Sequence, residues 1–219
     1  MTMKIHLDTV IPLLHRATYG VLATQSTQVE GYPFASILPF ALDERHYPVF
    51  LVSGLAEHKK ISWRTIAPVF LVSSPDGHNV LTVARLTIVG GMWNVSTHHR
   101  NWLRATFAIS QMRSSTSTLG TLRSSGSRQS APDMWLVFGE MGWMEEVEWA
   151  NGAVMPLIDE AKFYRELIEV LPMGIRLLGL DYYGVDIERQ GKRERQQFPN
   201  APVGTEHIGE VTKRFLAAL

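Results

Sequence analysis

The chain of 219 residues contains no cysteine. That excludes disulfides, thiolate metal centres and a cysteine nucleophile, and it fits a reducing compartment such as the cytosol. Charge of either sign is not in excess: 21 Lys plus Arg balance 21 Asp plus Glu. Overall charge therefore gives no reason to expect nucleic acid or an anionic membrane as partner. No uncharged apolar run reaches the roughly 18–20 residues needed to span a bilayer. The N-terminal stretch carries Asp8 and His15 and lacks the apolar core of a signal peptide. From Gly77 to Pro132 there is not one Asp or Glu, and Ser110 to Ser130 is dominated by Ser and Thr. That stretch reads as a flexible, weakly basic insert. Its Arg113, Arg123 and Arg128 lack the interleaved aromatics of a single-strand binder.

Also absent are a nucleophile elbow, a Walker loop and a GxGxxG turn. No HxxxH or other His/Asp/Glu spacing marks a metal centre, so no metal ligand is expected.

What is present is ordinary globular composition, 45% apolar and 19% charged, with strong local patterning. Leu7, Val10, Ile11 and Leu14 have helical spacing, and Gly20 ends that helix ahead of a strand, GVLAT. GYPFASILPFALDE, PVFLVSGL, PVFLVSS and VARLTIVG read as further strands, with turns near Asp43 and at Pro75 to Gly77. LAEHKKI reads as the start of a helix. Closely spaced strands with one short inserted helix predict a small antiparallel barrel of about six strands. Beyond a boundary at Ala153 to Asp159 the character changes. DEAKFYRELIEVL is helical with Phe163, Leu167 and Leu171 on one face, and Pro172 closes it. IRLLGLDYYGVDIERQ reads as two strands around a turn at Asp181 to Gly184, and the chain ends in a helix with Ile208, Val211, Phe215 and Leu219 inward. The fold class expected is a β-barrel at 1–152 followed by a small α/β unit at 153–219.

The stretches GVLAT, GYPFASILPF, LVSGLAEHKK, ARLTIVG and FGEMGWM resemble the haem-utilisation branch of the pyridoxamine-phosphate-oxidase-like family, whose fold is an FMN-binding split β-barrel. LDYYGVDIERQ, QQFPNAPV and FLAAL resemble the small α/β domain that often follows this barrel. The likeness covers roughly 5–60, 70–91 and 138–219. It implies a homodimer with two FMN sites at the barrel interface, each built from both subunits, and two-electron chemistry on a small-molecule substrate. His58 and Lys59 fall where the family holds the phosphate. Lys60 and Ser53 lie beside them, and Arg85 falls on a strand position that reaches the flavin. Ser36, Ile37 and Leu38 fall on the strand whose backbone lines the ring. From the residues alone, adjacent lysines are commonly a solvated helix face, whereas an arginine among apolar strand residues needs an anionic partner. A deazaflavin is a further cofactor of this chemistry. The branch offers a second ligand, haem, held by a histidine; candidates are His6, His15, His58, His98, His99 and His207. Trp143 could stack on a ring, although a packing role is the commoner fate of such a residue. A third reading is a flavin-binding module without turnover, or a decayed gene product.

The stretches 60–70 and 92–137 break the resemblance, and both take on family-like sequence when suitable codons are read one frame over. Compensating frameshifts account for both gaps at once. Resequencing the gene is expected to find them, and a continuous frame matched by the transcript would overturn this explanation.

Overall fold

The computed structural model describes residues 5–26, 28–53, 68–76, 79, 81–94, 117–123, 135–138 and 142–218. The expectations placed on Lys60 to Ala67, His58, Lys59, His98 and His99 lie outside these residues. Helix α1 (Leu7–Arg16) opens the chain. Nine strands follow: β1 (Tyr19–Gln25), β2 (Pro33–Leu42), β3 (Pro48–Ser53), β4 (Val69–Ser73), β5 (Arg85–Val89), β6 (Gly91–Asn94), β7 (Ser117–Arg123), β8 (Trp135–Phe138) and β9 (Gly142–Glu145). They form one curled antiparallel sheet in the order β6-β7-β3-β2-β1-β4-β5-β8-β9. Ten-residue β2 joins its two halves. Residues Pro33 to Pro39 pair with β1, whereas Phe40 to Leu42 pair with β3. This is the split-barrel architecture expected.

A second unit follows the short helix α2 (Glu146–Ala150): α3 (Leu157–Ile168), the hairpin strands β10 (Ile175–Asp181), β11 (Gly184–Arg189) and β12 (Lys192–Gln197), then α4 (Ile208–Leu216). The fold class is thus mainly β with helices, a split barrel plus a small α/β unit.

Three expectations are corrected. The large sheet has nine strands rather than about six. Part of the Ser-rich stretch is not insert but strand: 117–123 pairs with β3 on one side and β6 on the other. Ser content masked a Thr and Leu pattern, STLGTLR, that suits a ladder. In the C-terminal unit a third strand, KRERQQ, was hidden by its charge; it lies at a sheet edge, where every side chain but that of Arg195 keeps some exposure.

Gly20 does not end α1. The helix closes at Arg16, capped by the Ala17 N–H on Leu13 O, and Gly20 lies within β1. A Cβ there would come 2.5 Å from the Phe70 ring and 2.8 Å from Leu71 O, so only glycine lets β4 approach.

Two apolar clusters share α1. Val10, Leu13 and Leu14 pack with Leu22, Phe40, Phe70, Val72, Leu86, Ile88, Met144 and Trp149 under the barrel sheet. Ile11 turns to the other side, against Phe163, Leu167, Leu180, Tyr183, Ile187 and Phe198. Pro12 lies inside α1 and removes the N–H that would bond the Asp8 carbonyl four residues back. That carbonyl instead accepts from Gln197 Nε2 at 2.9 Å, tying α1 to β12.

Candidate functional site

Among the described residues two places carry chemistry: the outer face of the barrel sheet, and a buried polar cluster between the two units.

The outer face follows from strand alternation. In β5, Leu86 and Ile88 are buried, so Arg85 and Thr87 point outward. Paired across the strands, Ile37, Val21, Leu71 and Thr87 form one row on this face. The row continues through residue 137 of β8 to Trp143 of β9. Tyr19 (61% exposed), Ile37 (68%), Leu71 (38%) and Trp143 (48%) give it a broad apolar surface. Trp143 therefore stands on the open face and not in the core.

Arg85 is half-buried at one end of this face. The core side of β5 belongs to Leu86 and Ile88. Among the described residues no carboxylate forms an ion pair with it. Ser36 and Leu38 alternate with Ile37 and point inward, and Leu38 packs against the barrel core. Their backbone is ladder-bonded to β1 on one side; on the other side, described pairing with β3 begins only at Phe40. In the strand order two strands stand between β2 and β5, which places Arg85 about 14 Å from β2 along the sheet. Within one chain the structure thus does not bring Arg85 together with Ser36 to Leu38. Ser53 ends β3 and pairs with Ser117.

Of the histidines proposed for haem, His6 is exposed and His207 is exposed and pairs with Glu206 at 3.3 Å. His15 is buried at 3% exposure among charged side chains, so a porphyrin cannot reach it.

His15 belongs instead to the second place, a cluster no sequence spacing announced. It extends from the end of α1 and meets His46 of the β2–β3 turn and Asp181, Asp186 and Arg195 of the C-terminal sheet. All five are buried. The turn is built by Asp43, whose Oδ1 accepts from the Arg45 and Tyr47 N–H groups at 2.9 Å each. Trp149 Nε1 donates to Arg45 O at 3.0 Å. So held, His46 sits at φ 63°, in the left-handed region. Its ring stands edge-on to His15 and to Tyr183, at 5.3 and 5.5 Å between centroids.

Asp181 starts the β10–β11 turn. Its Oδ1 accepts from the N–H groups of Tyr183 (2.8 Å) and Gly184 (3.1 Å) and from Arg195 Nη2 (2.6 Å). Asp186 and Arg195 are cross-strand partners in the β11–β12 register. His15 Nδ1 lies 2.8 Å from Asp186 Oδ2, and because a carboxylate only accepts, Nδ1 carries the proton.

Burial alone would raise both carboxyl pKa values. For Asp181 the Arg195 charge, with His15 and His46, overturns this; for Asp186 it is His15 and then Arg195. Both are held well below the usual carboxylate range. Burial would lower the Arg195 pKa, but the two carboxylates raise it. His15 is pushed down by burial and then by Arg195, against the pull of Asp186 and Asp181.

Gly184 makes room for this packing. A Cβ there would lie 2.3 Å from Gln196 O and 3.0 Å from Arg195 Nε. Gly184→Ala is therefore expected to cost about 1–3 kcal/mol by overpacking, a drop of roughly 2–12 °C in Tm by calorimetry. An unchanged Tm would show that β12 moves aside freely.

Comparison with known proteins fits this picture at the level of fold. No protein-family model matches the chain, and no curated protein does. Among solved structures, a protein of unknown function from Agrobacterium tumefaciens superposes with a TM-score of 0.72 at 16% identity, covering 99% of this chain and 97% of its own. A heme binding protein from Mycobacterium smegmatis superposes at 0.56 with 19% identity, covering 100% and 98%. Both cover the split barrel together with the C-terminal unit. Among the described residues no helix is long and apolar enough to cross a membrane.

Proposed function

We propose that this chain binds FMN on the outer barrel face between two copies of itself, and works as a cytoplasmic flavin-dependent oxidoreductase on a small molecule. The observation that carries this reading is the exposed apolar row of Ile37, Leu71 and Trp143 sharing one face with Arg85. A flat ring needs an apolar platform, and its phosphate needs cationic donors. Arg85 is a half-buried cation with no acidic partner among the described residues, which fits an anionic ligand. The N–H and C=O groups of Ser36 to Leu38 that face away from β1 suit the polar edge of a flavin ring. Because β2 and Arg85 are strands apart, a site that uses both takes one from each protomer. The sequence resemblance adds His58, Lys59, Lys60 and Ser53 as phosphate holders. Flavin supplies the redox chemistry when bound; the chain binds, orients and shields it.

Haem is the second reading, favoured by the fold shared with the heme binding protein. Among the described histidines outside the buried cluster, His6 and His207 are open to a ligand. One absorbance spectrum of the purified chain tests both. The paired near-ultraviolet and blue bands of oxidised flavin are expected. A colourless protein that gains a Soret band on haem addition would replace FMN by haem, and a colourless protein inert to both would leave a binding module without cofactor.

A further inference from the structure

We propose that His15, His46 and Asp181 form a first-row divalent metal site, of which Zn2+ is the natural occupant, that clasps the barrel to the C-terminal unit. The site is separate from the cofactor reading and does not depend on it.

The three donors come from α1, the β2–β3 turn and β10, and their ligand atoms lie within 4.8 Å of one another. His15 Nε2 is 3.1 Å from His46 Nδ1 and 3.4 Å from Asp181 Oδ2. Donors bound tetrahedrally at about 2.0–2.1 Å from zinc stand ~3.3–3.4 Å apart. The two His15 edges, 3.1 and 3.4 Å, lie close to that length, and all three ligand atoms fall within 4.8 Å. Two imidazole nitrogens and one carboxylate oxygen form a borderline donor set, suited to zinc and its neighbours rather than to magnesium or calcium.

The surroundings match what such a site needs. Asp186 accepts from His15 Nδ1 at 2.8 Å, the carboxylate–histidine arrangement that turns the other ring nitrogen toward a metal. With its proton on Nδ1, a neutral His15 aims the Nε2 lone pair at Asp181 Oδ2. That Nε2 also lies 3.1 Å from His46 Nδ1; without a metal the His46 Nδ1–H fills its lone pair, and a cation bound among the three atoms takes that proton's place. Arg195 holds Asp181 by its other oxygen, Oδ1, at 2.6 Å, while Oδ2 faces His15 Nε2 at 3.4 Å. Asp181 and Asp186 carry two negative charges against one on buried Arg195, and Arg193, one-third exposed, meets Asp186 from outside at 3.4 Å. A small pocket lined by Arg45, His46, Tyr47, Trp149 and Gly152 borders the cluster on the His46 side.

The rival is a proton in place of the metal, with His15 an imidazolium between Asp186 and Asp181. One experiment separates them. The tag-free chain is stripped with a chelator and titrated first with Co2+ and then with Zn2+. Expected are the intense visible bands of four-coordinate cobalt, saturating at one ion per chain, displacement by Zn2+, and a rise in Tm with Zn2+. His46→Asn removes a donor while tolerating the left-handed backbone, and should abolish the cobalt bands. Asp186→Asn, which touches no metal, should weaken binding about 10–100-fold. Should either variant fail to fold, 15N NMR of the wild-type rings decides: Zn2+ must shift His15 Nε2 and His46 Nδ1. The proposal is overturned if no ion binds and both His15 nitrogens carry protons. It is equally overturned if cobalt binds His46→Asn as well as wild type, since the ion then sits elsewhere.

Discussion

Arg195→Met is expected to lower the stability of the chain by about 3–5 kcal/mol, because it leaves two buried carboxylates without their common cation. For a chain of this size that corresponds to roughly 6–20 °C in Tm. Arg195 is fully buried, 2.6 Å from Asp181 and 3.5 Å from Asp186. Both carboxylates are buried, and Arg193, 3.4 Å from Asp186, is one-third exposed and pairs with that one. The comparison that identifies the cause is Arg195→Met combined with Asp181→Asn and Asp186→Asn. Removing all three charges together should recover much of the loss, since the cost comes from an orphaned charge and not from a missing contact. If the single variant melts within 2 °C of wild type, the cluster is wetter than the structure shows. If the triple variant is as unstable as the single, packing and not charge is what Arg195 supplies.

This cluster shows where the sequence was legible and where it was not. The alternating apolar residues of β1, β4 and β5 announce themselves within a few positions, because each strand carries its own pattern. Helix α1 is readable for the same reason, and so is the β10–β11 turn, where Asp181 and Gly184 carry local turn chemistry. Each of these is decided by neighbours in the chain. The cluster is decided by register between segments far apart: His15 and Asp186 are 171 residues apart, and His15 and Arg195 are 180. One trace was available. Asp186 stands between Val185 and Ile187 in an otherwise buried strand, and a lone acid there requires a buried cation. The charged strand KRERQQ supplies that cation once the hairpin register is known, but its polarity reads as loop until then. Arg85 shows the reverse. Its face is set by immediate neighbours: the period of two sends it to the opposite side from Leu86 and Ile88. The count of about six barrel strands fell short because β6, β7 and β8 lie wholly or largely in the stretch where the composition is least strand-like.

Lys59→Ala combined with Arg85→Ala is expected to weaken FMN binding at least tenfold. Each removes a charge-assisted contact of about 1.5–3 kcal/mol, and ~1.4 kcal/mol already makes a tenfold change. The two residues enter by different routes. Lys59 rests on the resemblance of LAEHKK to a phosphate-holding segment, whereas Arg85 rests also on its place beside the exposed apolar row. Separate single variants therefore report on separate parts of the reading. Arg85 forms no ion pair among the described residues, so its removal leaves no buried charge behind. The Tm of the cofactor-free protein should stay within about 2 °C of wild type. Loss of affinity at constant Tm would place Arg85 at the ligand. Loss of both would mean that it holds the sheet end together. Affinity unchanged in the double variant, by fluorescence titration with FMN, would put the flavin off this face. The apolar row of Ile37, Leu71 and Trp143 would then be a protein contact surface and nothing more. Leu71→Glu separates that outcome further: on a ligand-bearing dimer face it should cost both association and flavin, because one buried carboxylate there opposes the phosphate and the apolar packing alike.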